Sequence, residues 1–132
     1  MERGPRSDLE FADSLWLHHD VASESDWRNL IEKTQSRCGR IDILISNAGI
    51  CHPKSLLETD FVDMERHFRV NQHGIYLRMK HAALQMVQSG GGSIVNISSG
   101  AAFRGIKSRF AYSASKWAIR GMSRCAALDL AE

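Results

Sequence analysis

One short aliphatic run limits the possible folds more than any other feature of this sequence. Ile41 to Ser46 reads Ile-Asp-Ile-Leu-Ile-Ser, with a single polar residue before its end. A run of this kind, without strict alternation, is typical of a strand that is buried on both faces of a parallel sheet. Ser93 to Ser98 has the same character. Ser14 to His18, with Leu15-Trp16-Leu17 at its centre, predicts a third and shorter strand.

Amphipathic patterns separate these runs and predict helices. Ser23-Glu24-Ser25-Asp26 has the spacing of a capping box, which marks the start of a helix. The residues that follow it place Trp27, Leu30, Ile31 and Cys38 on one helical face. This spacing predicts an amphipathic helix after the capping box.

A long helical pattern runs from Asp60 to Val87, and a final helix is predicted from about Phe110 to Leu130. Asn71 and Gly74 interrupt the long pattern, so a kink or two abutting helices are expected there. Strands that alternate with helices indicate an open α/β fold with right-handed crossovers. The sequence thus predicts one domain, residues 1–132, with a doubly wound parallel sheet.

The overall charge and the cysteines exclude several classes of function. The net charge is only +2, which gives no electrostatic reason to expect a nucleic acid or an anionic membrane as a partner. No apolar run approaches the roughly 18 residues that span a bilayer. Three scattered cysteines indicate reduced thiols, so a cytoplasmic protein is expected. The six histidines have no spacing that suggests a metal site.

The strongest chemical signal is the segment Tyr112-Ser113-Ala114-Ser115-Lys116. Residues four apart lie on one face of a helix, so the phenol of Tyr112 and the ammonium of Lys116 are expected to be neighbours. At a separation of a few ångströms the ammonium would favour the phenolate by about 1–4 kcal/mol. This interaction would make the phenol more useful as an acid–base group near neutral pH.

A lone Tyr-x-x-x-Lys pattern on a helix is more often structural than catalytic, so its neighbours decide the interpretation. Ser99 ends the strand before this helix, Asn47-Ala48-Gly49 ends another strand, and Asn71 lies at the helix interruption. Separately they read as a turn serine, a turn Asn/Gly pair and a helix defect. Because ligands bind beyond the carboxyl ends of strands in open α/β sheets, the combination predicts a catalytic site there.

Taken together, these residues resemble the short-chain dehydrogenase/reductase (SDR) family over essentially the whole chain. Asn71, Ser99, Tyr112 and Lys116 fall on the catalytic tetrad of this family. Asn47-Ala48-Gly49 is similar to the family's Asn-Ala-Gly motif. The resemblance implies a Rossmann-like sheet and a nicotinamide-dependent oxidoreductase that uses NAD or NADP on a small-molecule alcohol or carbonyl substrate.

The resemblance also implies a role for each residue. Tyr112 would exchange a proton with the substrate oxygen, Ser99 would hydrogen-bond that oxygen, and Lys116 would bind the nicotinamide ribose hydroxyls. Asn71 would hold a water through its main chain. Asp20-Val21 matches the acidic–aliphatic pair that contacts the adenine ring. The implied cofactor-binding residues are Asp20, Val21, Asn47, Ala48, Gly49, Tyr112 and Lys116.

The chain departs from the family pattern at its phosphate-binding turn. No Thr-Gly-x-x-x-Gly-x-Gly is present, and Gly90-Gly91-Gly92 precedes a strand, so it is expected to stop a helix instead. The resemblance therefore implies a fold without its first βαβ unit and its C-terminal strands, with Gly4 to Asp13 as the remnant of a helix. Such a chain is expected to have little activity alone. The alternative is a non-catalytic relic that associates through its helices with a full-length relative.

Two expectations concern surfaces. The resemblance implies a homo-oligomer, a dimer or tetramer, formed by the two long helical segments, and Trp117 is expected to be exposed because it lies about 140° around the helix from Tyr112. Arg104, Lys107 and Arg109 form a basic loop. This loop is interpreted either as a solvated turn or as a contact for an acidic substrate near the tyrosine.

Overall fold

The computed structural model describes residues 14–131. The helical remnant predicted at Gly4 to Asp13 lies outside these residues. In chain order the elements are α1 (Glu24–Cys38), β1 (Ile43–Ser46), α2 (Phe61–His67), a π-helical turn (Phe68–His73), α3 (Gly74–Gln88), β2 (Ser93–Asn96), a 3-10 turn (Gly100–Ala102) and α4 (Phe110–Asp129).

The two strands pair in parallel and form the sheet of the described part of the chain. The register runs from Ile43 opposite Ser93 to Ser46 opposite Asn96. A further backbone bond, from the amide of Ile97 to the carbonyl of Ser46 at 2.9 Å, extends the contact beyond β2. Parallel pairing across a helical crossover confirms the predicted α/β class.

The prediction of a strand at Ser14 to His18 is wrong, because this segment is not part of the two-stranded sheet. An apolar pattern can suggest a strand, but a strand exists only where a neighbouring strand completes its hydrogen bonds. The chain beyond it turns into α1 instead. The indole Nε1 of Trp27 donates to the carbonyl of Val21 at 2.8 Å and holds that turn in place.

The expectation that both strands are buried on both faces is also wrong. On one face, Leu44 and Ile94 pack against Ile31, Ala82 and Met86, which belong to α1 and α3. On the other face Ile43 and Ile45 are 64% and 66% exposed. An aliphatic run shows that both faces of a strand could be buried. It does not show whether helices cover the second face of the sheet.

Core packing places α4 on the same face as α1 and α3. Ile75 and Met79 of α3 form a cluster with Ile119 of α4, and Ile94 of β2 packs against this cluster as well. All three long helices therefore cover one side of the sheet. The opposite side carries Val95 and Ile97, which are exposed.

The predicted start of α1 is confirmed. The Ser23 hydroxyl caps the helix by accepting a hydrogen bond from the Asp26 amide at 3.2 Å. On the predicted apolar face Trp27 and Ile31 are buried, whereas Cys38 is exposed. Cys38 is the last residue of α1, and Gly39, with φ of 81°, turns the chain away there.

The predicted interruption near Asn71 is confirmed as a π-helical turn between α2 and α3. The amide of Gly74 donates to the carbonyl of Arg69, five residues earlier, which is the π-helical pattern. The glycines before β2 form a helix stop, as expected, since Gly90 and Gly91 have φ of 87° and 115°. Within residues 14–131, no helix combines the length and the apolar character that crossing a bilayer requires.

Candidate active site

The sequence-predicted site residues lie around the carboxyl ends of β1 and β2. Asn47, Ala48 and Gly49 follow β1 directly, and Ser99 follows β2. Asn71 lies in the π-helical turn, and Tyr112 and Lys116 occupy the first two turns of α4. Contacts between these elements show which of the residues the fold brings together.

Lys116 joins α4 to the end of β2. Its side chain is nearly buried, at 6% exposure, and its Nζ donates to the carbonyl of Ile97 at 2.8 Å. The Ser98 hydroxyl donates to the Lys116 carbonyl at 3.3 Å. The same Nζ lies 5.7 Å from the centre of the Tyr112 ring. The phenol ring and the ammonium are therefore neighbours, as expected. The ammonium is bonded to Ile97, two residues before Ser99.

Two hydroxyl groups at this position have no acceptor among residues 14–131. The Ser99 oxygen accepts from the Ala101 amide at 3.2 Å and caps the 3-10 turn, which leaves its proton available. The phenolic oxygen of Tyr112 makes no hydrogen bond with any of the described residues. Both groups can therefore bond to a ligand without breaking an internal contact.

A second buried cation, Arg78, lies next to the segment that follows β1. Arg78 is 2% exposed, donates from Nε to the Gly74 carbonyl at 2.9 Å, and approaches the Ala48 carbonyl at 3.5 Å. Burial lowers the pKa of Arg78, and burial followed by the charge of Arg78 lowers the pKa of Lys116. No carboxylate within the described range pairs with either cation. The floor of the site is therefore electropositive.

The side chain of Asn71 is fully used inside the protein. It is 1% exposed; its Oδ1 accepts from the Ile50 amide at 2.8 Å, and its Nδ2 donates to the Ile50 carbonyl at 2.9 Å. The same Nδ2 donates to the Ser115 hydroxyl at 3.0 Å. The side chain thus fixes the segment after β1 against the π-helical turn, while any contact with a ligand would fall to the main chain.

Ser115 is a site residue that the sequence analysis missed. It is 0% exposed, and its hydroxyl accepts from Asn71 and donates to the Tyr112 carbonyl at 2.7 Å. This chain of bonds fixes the first turn of α4 relative to the end of β1. The signal that could have found it is its position three residues after Tyr112, on the inner face of the same helix.

Gly49 leaves space where a side chain would close the site. A Cβ atom there would lie 3.0 Å from Oδ1 of Asn71 and 3.9 Å from Nζ of Lys116. The backbone after β1 therefore reaches the Lys116 ammonium with no side chain between them. Asn47, Ala48 and Gly49 are all exposed, so a ligand can lie along this backbone.

Asp20 and Val21 reach the same edge of the sheet through α3. A Cβ atom on Gly74 would lie 3.1 Å from the Val21 carbonyl and 3.2 Å from the Arg78 guanidinium, which in turn approaches Ala48. The Asp20 carboxylate pairs with Arg69 at 3.0 Å. The residues predicted to meet an adenine ring thus lie beside the floor of the site.

Sequence comparison identifies relatives of this arrangement. The family model described as short chain dehydrogenase matches residues 9–132. Secoisolariciresinol dehydrogenase from Forsythia intermedia is 37% identical over 123 residues, which cover 92% of this chain and 44% of that enzyme.

Structure comparison agrees. ElxO with NADP bound superposes with a TM-score of 0.83 at 34% identity, covering 86% of this chain and 46% of that one. NAD⁺-bound xylitol dehydrogenase gives a TM-score of 0.83 at 33% identity, covering 85% of this chain and 44% of that one. These solved structures show that β1, β2 and the helices packed on them belong to a Rossmann-like fold.

The chain spans less than half of the length of each of these relatives. Its family match nevertheless includes every predicted site residue, from Asp20 to Lys116. The chain belongs to the short-chain dehydrogenase family.

Proposed function

We propose that this chain carries the acid–base centre of an NAD(P)-dependent oxidoreductase that acts on an alcohol/carbonyl pair. One observation carries the proposal: the nearly buried Lys116 ammonium lies 5.7 Å from the Tyr112 ring and is bonded to the strand end that leads into Ser99. A phenol beside a buried cation is placed to exchange a proton with the oxygen of a bound ligand.

The residues at the edge of the sheet fit a nicotinamide dinucleotide. Gly49 exposes backbone next to the Lys116 ammonium, and that ammonium has donors for ribose hydroxyls beyond its one bond to Ile97. Asn47 and Ala48 would line the path of the cofactor, and Asp20 with Val21 would meet the adenine. The nicotinamide, when bound, accepts or donates the hydride.

The protein's own residues would handle the proton and the orientation of the substrate. Tyr112 would donate its proton to the carbonyl oxygen in reduction, or accept the alcohol proton in oxidation. Ser99 would donate a hydrogen bond to the same oxygen from its available hydroxyl. The main chain of Asn71 would hold a water that connects Lys116 to solvent, which is consistent with the full internal use of its side chain.

The alternative of a non-catalytic relic is not favoured. The solved relatives hold NADP or NAD⁺, and the Ser99 and Tyr112 hydroxyls both keep a proton available for a ligand, with the buried Lys116 ammonium 5.7 Å from the Tyr112 ring. We also propose that α3 and α4 mediate homo-oligomer formation. Trp117 is 48% exposed and Tyr76 is 50% exposed on these helices, which supports an apolar contact there.

The test follows reduced nicotinamide by its absorbance while a panel of secondary alcohols is oxidised. Residues 1–132 alone are compared with a version that carries, before residue 1, the strand, Gly-rich turn and helix of a relative. We expect turnover in the extended version and little from residues 1–132 alone, because a phosphate-binding turn provides several backbone donors for the cofactor.

Tyr112→Phe is expected to lower this turnover by about 10²–10⁴-fold, which is the usual contribution of a positioned acid–base group. Tyr76→Phe is the matched control, because this tyrosine is exposed on α3. Equal turnover in wild type and Tyr112→Phe would rule out the proposed role of the phenol.

A further inference from the structure

The loop between the 3-10 turn and α4, residues 103–109, is strongly basic. It contains Arg104, Lys107 and Arg109 and no acidic residue. The imbalance extends further, since the sequence between Glu65 and Asp129 contains ten lysines and arginines and no aspartate or glutamate. The small net charge of the whole chain conceals this local excess of positive charge.

These three cations are not neutralised within residues 14–131. Arg104 and Lys107 are exposed and form no ion pair, and Arg109 donates only to the adjacent Ser108 carbonyl at 3.1 Å. The first turn of α4 contains no acid that could compensate them. Three unpaired positive charges in a few residues repel one another, so the loop is electrostatically suited to an anionic ligand.

The loop is fixed beside the two candidate hydroxyls. At its start the Ala102 amide donates to the Ser99 carbonyl at 3.0 Å, and at its end the Ser113 amide donates to the Arg109 carbonyl at 2.8 Å. The Phe110 amide also donates to the Lys54 carbonyl at 3.2 Å, which connects the loop to the segment after β1. The backbone that carries these charges is therefore tied to Ser99, to the first turn of α4 and to the segment after β1.

Backbone strain marks the same place. Ser108, between Lys107 and Arg109, has φ of 55° and is the single non-glycine residue with positive φ in the described part of the chain. Strained residues of this kind persist where the surrounding structure requires them, and they are concentrated at ligand-binding sites.

We propose that residues 103–109 bind the carboxylate of the substrate, so that the enzyme acts on a hydroxy acid or its keto acid. Tyr112 and Ser99 would address the carbon that is oxidised or reduced, while Arg109, Lys107 and Arg104 hold the carboxylate. Guanidinium groups bind planar carboxylates through paired hydrogen bonds, which suits this loop. The inference rests on the proposed function, because it names the substrate class of that site.

Binding is tested on the chain itself, without cofactor, by following backbone amide signals in NMR titrations. The probes are 3-hydroxybutyrate and its methyl ester, which differ in the carboxylate charge. We expect 3-hydroxybutyrate to shift the amides of residues 103–112 and to bind at least about fivefold more tightly than the ester at low salt. Equal binding of acid and ester, or no binding of either, would overturn the proposal.

Single substitutions identify the cations involved. Arg104→Gln, Lys107→Gln and Arg109→Gln are each expected to weaken binding of the acid about three- to fivefold and to leave the ester unaffected. Arg124→Gln is the control, because it removes the same charge from an exposed position on α4. If Arg124→Gln weakens binding of the acid as much as Arg109→Gln does, the acid responds to the overall positive charge of the protein and not to a binding site in the loop. This result would also overturn the proposal.

Turnover separates this inference from the proposed function. If the extended chain oxidises the ester but shows no preference for the acid, the carboxylate proposal alone is wrong. If the acid binds at the loop while no alcohol is oxidised, the oxidoreductase proposal is wrong and the binding site remains.

Discussion

Replacing Gly74 with alanine is expected to destabilise the protein, although alanine is the better helix former. Gly74 is the first residue of α3 and has ordinary helical dihedral angles, φ of −58° and ψ of −39°. On helix propensity alone the substitution would therefore stabilise the protein by about 0.5–1 kcal/mol. Packing at this position opposes that gain.

The opposing cost follows from the contacts of the new methyl group. It would lie 3.1 Å from the Val21 carbonyl oxygen, 3.2 Å from the Arg78 guanidinium and 3.5 Å from Cγ2 of Val21. The carbonyl is held by the Trp27 indole and the guanidinium is buried and bonded to Gly74 itself, so neither moves without loss. Overpacking of this kind costs about 1–3 kcal/mol.

Gly121→Ala is the matched control. Gly121 lies inside α4, and a Cβ atom there would have no heavy atom within 4 Å. This variant is expected to stabilise the protein by about 0.5–1 kcal/mol, so the two variants should differ in unfolding free energy by about 1–3 kcal/mol. The helix contribution cancels in this difference, which isolates the crowding at Val21.

The free energy of unfolding of each variant is measured by urea unfolding, followed by far-UV circular dichroism. The two values are compared only if the m-values are unchanged. Near-UV circular dichroism should also change in Gly74→Ala, because displacement of the Val21 carbonyl disturbs the Trp27 indole. If Gly74→Ala is as stable as Gly121→Ala, the close approach of α3 to Val21 does not exist as described.

Three further substitutions test local contacts. Ser23→Ala removes the cap of α1, which accepts from the Asp26 amide, and should cost about 1 kcal/mol in urea unfolding; Ser23→Thr should restore most of this. Ser115→Ala removes one acceptor of the buried Asn71 amide and should lower the free energy of unfolding in urea by about 1–3 kcal/mol. A loss smaller than the error of the method would contradict this. The hydrogen bond from Lys54 lowers the pKa of Asp63. The pair therefore stabilises the protein at pH values above the ordinary pKa of a carboxyl group, and this stabilisation is lost as the pH falls through the lowered pKa. Thermal unfolding should therefore depend less on pH between about 5 and 2 in Lys54→Met than in wild type; identical pH profiles would contradict this.

Much of the helical frame could be predicted from the sequence, because helix formation depends on neighbours a few positions away. The Ser23 cap and the break at Asn71 were both visible as local patterns. The shared face of Tyr112 and Lys116 follows from helical spacing in the same way. In each case the residues that determine the structure lie within two turns of one another.

The errors concern contacts between segments that are distant in sequence. The segment Ser14 to His18 has the composition of a strand, but composition cannot supply a neighbouring strand. The exposure of Ile43 and Ile45 depends on which side of the sheet the helices cover. Ser115 acts through Asn71, which is far away in the sequence, so only the folded structure reveals this bond.

The parallel register of the two strands has a consequence for the order of folding. Ile43 and Ser93 are partners although they are roughly fifty positions apart in the chain, so their pairing requires closure of a long loop. The intervening α2, π-helical turn and α3 can shorten that loop only after they have formed. Helix formation is therefore expected to precede strand pairing, and the amide of Ile97, which bonds across to Ser46, should acquire hydrogen-exchange protection later than amides within α3.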